Sequence, residues 1–270
     1  MAGLHRSPLR GYSIEFSEHR EYVPGDDLRH VDWKVFGRTD KFYVKQYEDE
    51  TNLLCYLVVD GSESMMYSST AASFSKWEYA QSLAAALAWL IVSQQDAVGM
   101  TIVDEGIRHQ IPTASSAPHI NQIIDALESH TPQRPTDLGK SLHELEQRLP
   151  RRGVVVVISD AFDDVDAMLT GLQRLRYRQH DVVFFHILDP AEIDFPFQRK
   201  TLFRGLEGIP SVVADARGIR KAYLDEFSGF LRAVERGCRA RQIDYLRLNT
   251  QLQFDVPLSA FLTRRQASKQ

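Results

Sequence analysis

A chain of 270 residues, 43% hydrophobic and 25% charged, has the make-up of a packed globular protein with one large domain or two small ones. Its formal net charge of −4 gives no electrostatic reason to expect nucleic acid or an anionic membrane as a partner. The two cysteines, Cys55 and Cys238, cannot supply a disulfide framework and are expected as buried thiols.

In chain order, Met1 to Pro8 lacks the apolar core of a signal peptide. Residues 1–50 are expected to form an N-terminal extended arm packed on the main domain. Pro24-Gly25-Asp26-Asp27 places Pro and Gly where a type II turn wants them. A second reading makes this arm a docking element, with Arg20 and Trp33 as residue types that anchor interfaces. The main domain, 51–265, begins with the apolar run Leu53 to Val59, a buried strand. Helical spacing follows from Lys76 to Gln94, a strand over Ala97 to Val103 and an antiparallel hairpin partner over Ile107 to Ile111. A helix near His119 to Glu128 and another after Thr136 lead to the β-branched strand Val154 to Ile158. A helix over Val165 to Arg178, a strand over Val182 to Leu188, a long helix from Gly218 to Arg241, a strand at Tyr245 to Leu248 and a helix from Leu258 to Arg265 complete it. Arg264 onward reads as a fraying tail, with 266–270 outside the domain. The alternation predicts an α/β fold, a doubly wound and mostly parallel sheet with one antiparallel edge strand. The longest apolar stretch, Leu83 to Val92, falls far short of the ~20 residues that span a bilayer, so no membrane insertion and a cytoplasmic location are expected.

The candidate site is the segment that follows the first buried strand, Asp60-Gly61-Ser62-Glu63-Ser64. In such sheets ligands bind outside the carboxyl ends of the strands, and this loop brings one carboxylate and two hydroxyls there. All are hard oxygen donors of the kind Mg²⁺, Mn²⁺ or Ca²⁺ prefers. Asp160, ending the Val154 strand, lies on the same rim if the two strands are parallel. Thr136 sits at a helix start where Asp137 can act as cap and leave the Thr136 hydroxyl free. Taken singly, each of the five has a plainer reading, since Asp and Ser bond their own backbone at strand ends and Thr caps helices. Taken together, three separated segments deliver oxygen ligands to one rim. Asp104 and Asp189, which also end apolar runs, read as turn residues.

The set Asp60-x-Ser62-x-Ser64, Thr136 and Asp160 resembles the metal-ion-dependent adhesion site of von Willebrand factor A domains. That resemblance implies Ser62, Ser64 and Thr136 as direct ligands, Asp60 and Asp160 acting through water, Mg²⁺ or Mn²⁺ as the ion, and a partner's Asp or Glu completing its shell. Further stretches narrow the likeness: Arg20 to Trp33, Lys41 to Glu50, Asp96 to Gly99, Arg152 to Asp160, and His180 to Glu192 are similar to the bacterial proteins catalogued as domain of unknown function 58. Relatives are often linked to MoxR-type AAA+ ATPases, which implies a chaperone-like adaptor working with the ATPase on a client protein.

Enzyme readings find less support, and none is expected to hold. The place two residues after Asp60, where a dehalogenase-type phosphotransferase needs an acid, is Ser62. Gly139-Lys140-Ser141 has the tail of a P-loop, but Arg134 stands where its first Gly belongs. His180 is the best of a weak set of catalytic histidines. The alternative function is a metal-dependent hydrolase whose rim ion activates water, and a third possibility is a purely structural cation.

Overall fold

The computed structural model describes residues 15–27, 29, 31–48, 53–208 and 210–267. The chain divides into two compact units, Met1–Leu53 and Leu54–Gln270, close to the boundary expected at residue 50.

The first unit is more than an extended arm. Strands β1 (Glu15–Glu21) and β2 (Tyr43–Glu48) pair antiparallel, and helix α1 (Trp33–Thr39) lies between them in sequence. Asp32 starts the helix by accepting the N–H groups of Lys34 and Val35, at 3.0 and 3.3 Å. The expected turn is present: Asp26 N–H donates to Val23 C=O at 3.0 Å, with Pro24 first and Gly25 second at φ +113°, a value only glycine adopts freely. Arg20 Nη2 donates to both oxygens of the Asp26 carboxylate, at 2.7 and 2.8 Å, so the turn is tied to β1. Trp33, Phe36 and Phe42 form an aromatic group, with Phe36 and Phe42 stacked at 4.4 Å.

In the second unit six strands make one sheet, in the order β10 (Asp244–Asn249), β7 (Asp181–Leu188), β6 (Val154–Ser159), β3 (Leu54–Asp60), β4 (Ala97–Val103), β5 (Ile107–Ala114). All neighbours are parallel except β4 and β5, so the predicted sheet with one antiparallel edge strand is found. The order reverses beside β3, from which the chain first moves to β4 and later crosses to β6. That is the switch point where a doubly wound sheet opens a crevice at its carboxyl rim.

Period-2 alternation sorts the core into two layers. Leu57 and Val59 face α2 (Lys76–Ser93) and α3 (Ala117–Ser129), together with Leu258 of α8 (Asp255–Ala267). Tyr56 and Val58 face α4 (Leu138–Arg148), α5 (Val165–Tyr177) and α7 (Ala216–Ala240). Cys55 and Cys238 are both buried thiols, as expected. Helix α8 continues to Ala267, past the Arg264 where fraying was expected, and residues 268–270 lie outside the described residues.

Three features were not anticipated. A 3-10 turn covers Glu63–Met66, a short helix α6 covers Pro190–Asp194, and strands β8 (Lys200–Phe203) and β9 (Val212–Asp215) pair as a separate ribbon. Asp189 ends β7 as the cap of α6, in a reciprocal box with Glu192. Asp104 fixes the β4–β5 turn by accepting Gly106 N–H and Arg108. Gly139-Lys140-Ser141 proves to be a helix-packing and loop-tying segment. A Cβ on Gly139 would come within 2.9 Å of the Ala167 Cβ on α5, Lys140 Nζ donates to Glu105 C=O, and Ser141 Oγ to Asp104 C=O.

Candidate metal-binding rim

Strand β3 delivers Asp60 to the rim as a buried carboxylate, and the following turn folds back on it. Asp60 Oδ1 accepts the Ser62 N–H at 3.0 Å, while its Oδ2 accepts the Ser159 hydroxyl from β6 at 2.6 Å. The two central strands are thereby joined through the first predicted site residue. Ser62 and Ser64 place their hydroxyls 3.1 Å apart, both buried. Gly61 permits the close approach this requires: a Cβ there would collide with His130 and Ile102. His130 Nε2 lies 3.0 Å from Gly61 C=O and so donates to it, since a carbonyl can only accept.

Thr136 reaches the same place from the segment before α4. Asp137 caps that helix by accepting Lys140 N–H at 2.9 Å, as predicted. Glu63 N–H donates to Arg134 C=O at 2.8 Å, which ties the Asp60 loop to the Thr136 segment. One carboxylate then spans both. Glu207, between β8 and β9, accepts Ser64 N–H at one oxygen and Thr136 N–H at the other, each at 3.3 Å, and its own N–H donates to Glu63 Oε2 at 2.8 Å.

Asp160, at the end of β6, has a different setting. Its Oδ1 accepts Phe162 N–H at 3.1 Å, and its Oδ2 lies 2.6 Å from Lys76 Nζ. Lys76 opens α2 with 1% of its side chain exposed, and also meets Glu192 Oε1 at 2.7 Å. Burial opposes the ammonium's charge, but the Asp160 and Glu192 carboxylates outweigh it and hold the Lys76 pKa above its ordinary value. The ammonium also lies 4.5 Å from the Phe162 ring centre. Behind Asp160, buried His186 has its pKa pushed down to about 4 by desolvation. Its Nε2 donates to Asp160 C=O at 2.8 Å, leaving Nδ1 to accept the Tyr245 hydroxyl at 2.8 Å.

Charge is unbalanced on the Asp60 side. Desolvation, and after it the nearby Asp160 charge, pushes the Asp60 carboxyl up to about 7. A divalent cation beside these groups would relieve that strain. The donors suit a hard ion: paired hydroxyls, a threonine, and carboxylates that keep free lone pairs after their present bonds. Among the described residues no three His, Cys, Asp or Glu side chains gather into a metal-holding group, so an ion here would depend on the hydroxyls of Ser62, Ser64 and Thr136. This donor chemistry excludes a zinc-type site.

All five predicted residues stand on this rim. Ser159, Lys76, Glu192 and Glu207 were missed as participants. Ser159 carried a signal, since it lies beside Asp160 in the strand motif, whereas Lys76 and Glu207 meet the site only through tertiary folding. His180 is structural: its Nδ1 accepts Gly153 N–H at 3.3 Å, at the opposite end of the sheet.

A family model described as "Protein of unknown function DUF58" matches residues 18–227. Uncharacterized proteins Rv1480 of Mycobacterium tuberculosis and Mb1516 of Mycobacterium bovis are each 30% identical over 198 residues, or 72% of this chain. The match spans 61% of the length of those relatives. Among solved structures, the conserved hypothetical protein BatB from Bacteroides thetaiotaomicron aligns with a TM-score of 0.54 at 16% identity, covering 81% of this chain and 100% of that one. An aerotolerance-related membrane protein from Bacteroides fragilis gives a TM-score of 0.51 at 20% identity, covering 79% of this chain and 97% of the other. These likenesses bear on fold. No helix among the described residues is long and apolar enough to cross a membrane.

Proposed function

The chain belongs to the DUF58 family, and from its rim, whose residues resemble a von Willebrand factor A adhesion site, we propose that it is a cation-dependent protein-interaction module. Mg²⁺, or Mn²⁺ in its place, would be held by the hydroxyls of Ser62, Ser64 and Thr136, with Asp60 and Asp160 acting through water. The partner would offer an Asp or Glu to the ion. A MoxR-type AAA+ ATPase, or the client it remodels, is the partner this reading favours, in the cytoplasm. The chain acts as an adaptor in it, and the ATPase supplies the chemical work.

The observation that carries the reading is the meeting of three separated segments at one point. The Ser62 and Ser64 hydroxyls lie 3.1 Å apart beside Asp60, and a single carboxylate touches the amides of both Ser64 and Thr136. Plain turn chemistry would satisfy each residue locally and would not require the loops to converge. A carboxylate bound to an ion in a partly dry interface contributes on the order of 2–5 kcal/mol, or about thirtyfold to thousands-fold in affinity.

The test is a titration of the purified chain with a MoxR-type ATPase from the same genome, in Mg²⁺ and in excess chelator. Binding should require Mg²⁺, and Ser64→Ala and Thr136→Ala should mimic chelation. Undiminished binding in chelator would remove the rim from the interface.

A further inference from the structure

We infer that Glu207 is the chain's own acidic ligand at the rim, so that a partner's carboxylate must displace it to engage the cation. This rests on the cation-dependent reading above and adds to it the means by which the site is kept closed.

Four observations carry it. Glu207 is far in sequence from both loops, yet its two carboxylate oxygens lie between the amides of Ser64 and Thr136, residues whose hydroxyls are the proposed ligands. It is held there from its backbone, since its N–H donates to Glu63 Oε2 on the same loop as the serines. Its backbone is left-handed, at φ 58°, an arrangement that costs energy for a residue with a Cβ and persists only where the surroundings enforce it. Charge supplies the fourth: Glu207 brings a further carboxylate to a rim that already holds Asp60, Asp160 and Glu192 against the single ammonium of Lys76. Two amide donors at 3.3 Å are weak recompense for that crowding, whereas a divalent ion among the hydroxyls would turn Glu207 into a favourable ligand.

A carboxylate so placed occupies the position a partner's Asp or Glu needs. The site would then bind its ion with the chain's own acid first, and accept a partner only when that partner's carboxylate, aided by contacts elsewhere, wins the exchange. The two states differ in one ligand of the same chemical type, so the free energy separating them is small and the site can be switched by a modest surface interaction.

Mn²⁺ serves as the probe, because the water molecules it retains when bound are read directly from the relaxation of water protons. The wild-type chain, Glu207→Gln, Glu207→Ala and Asp60→Ala are titrated, with thermal melts to confirm folding. Glu207→Ala and Glu207→Gln should bind Mn²⁺ roughly tenfold more weakly and raise the relaxivity of the bound ion by exposing one more position to water. Added acetate should lower that relaxivity in Glu207→Ala and leave the wild type unchanged. If Asp60→Ala abolishes Mn²⁺ binding while the Glu207 variants keep wild-type affinity and relaxivity, Glu207 is no ligand and the cation-dependent reading survives alone. If Mn²⁺ fails to bind the wild type, or binds Asp60→Ala as well, both readings fall.

Discussion

Asp60 and Asp160 end adjacent parallel strands, are equally buried, and differ in what faces them. Asp160 has a cation built into the chain: Lys76 reaches it at 2.6 Å and is shared with Glu192. Among the described residues Asp60 meets dipoles, the Ser62 amide and the Ser159 hydroxyl, and burial pushes its carboxyl up to about 7. A buried carboxylate can be neutralised by a proton, a side-chain cation or a bound ion, and Asp160 has the second of these. The Lys76 half is a structural ion cluster, complete in itself. The Asp60 half, lined by the hydroxyls of Ser62 and Ser64, is the part where the proposed cation would act.

Removing the built-in cation should have the largest effect. In Lys76→Met the stem volume is nearly kept, but Asp160 and Glu192 lose their counter-charge in a buried place. Breaking such a pair costs about 3–5 kcal/mol. Urea denaturation near neutral pH should show the midpoint fall accordingly with an unchanged slope. A loss under 1 kcal/mol would mean that Lys76 contributes no more than a surface ion pair, and the contrast between the two halves would collapse.

The next effect belongs to the added cation. At Mg²⁺ concentrations 100-fold above its dissociation constant, a single site on the native state stabilises by about 2.7 kcal/mol. Thermal melts of the wild type should therefore rise with Mg²⁺, and those of Asp60→Ala should not. Lys76→Met should respond to Mg²⁺ at least as strongly as the wild type, because removal of the ammonium leaves more negative charge for the ion to meet. An equal Mg²⁺ response in wild type and Asp60→Ala would place the ion elsewhere.

The two halves also differ in how far a linear chain reveals them. Asp60, Ser62 and Ser64 sit within five residues after an apolar run, and Asp160 ends a second such run, so hard-ligand chemistry at strand ends could be read without coordinates. The sheet was legible for the same reason: buried strands such as Val154–Ser159 are continuous apolar runs with clear ends. Lys76 was not legible, because a lysine opening a helix is usually solvated and nothing local distinguishes one whose ammonium is buried on a carboxylate. Glu207 was hidden by its neighbours. The ribbon around it has only four residues per strand, with Leu202, Val212 and Val213 exposed, and carries no core periodicity. Helix α1 was missed similarly, since its seven residues contain no buried position and depend on the Asp32 cap.

The smallest effect comes from the far end of the sheet and separates rim electrostatics from ordinary buried titration. His180 precedes β7, with 2% of its surface exposed. Burial comes first in depressing its pKa below the ordinary 6.5, and the Arg178 and Arg152 charges act in the same direction, against the Gly153 backbone and Glu146. Its ring and that of Tyr56 meet edge to face, and its Nδ1 accepts Gly153 N–H. Because the folded-state pKa lies below the unfolded one, the folded chain binds fewer protons over this range. The contribution is complete above pH 6.5 and is lost as pH falls from there through the depressed value. Urea midpoints of the wild type should therefore decline on acidification through this window more steeply than those of His180→Gln, and this difference should be the same with and without Mg²⁺. A rise in the midpoints on acidification that His180→Gln leaves unaltered, but that Mg²⁺ suppresses, would assign the titration to the rim carboxylates instead, since the raised Asp60 carboxyl takes up its proton more readily in the folded state.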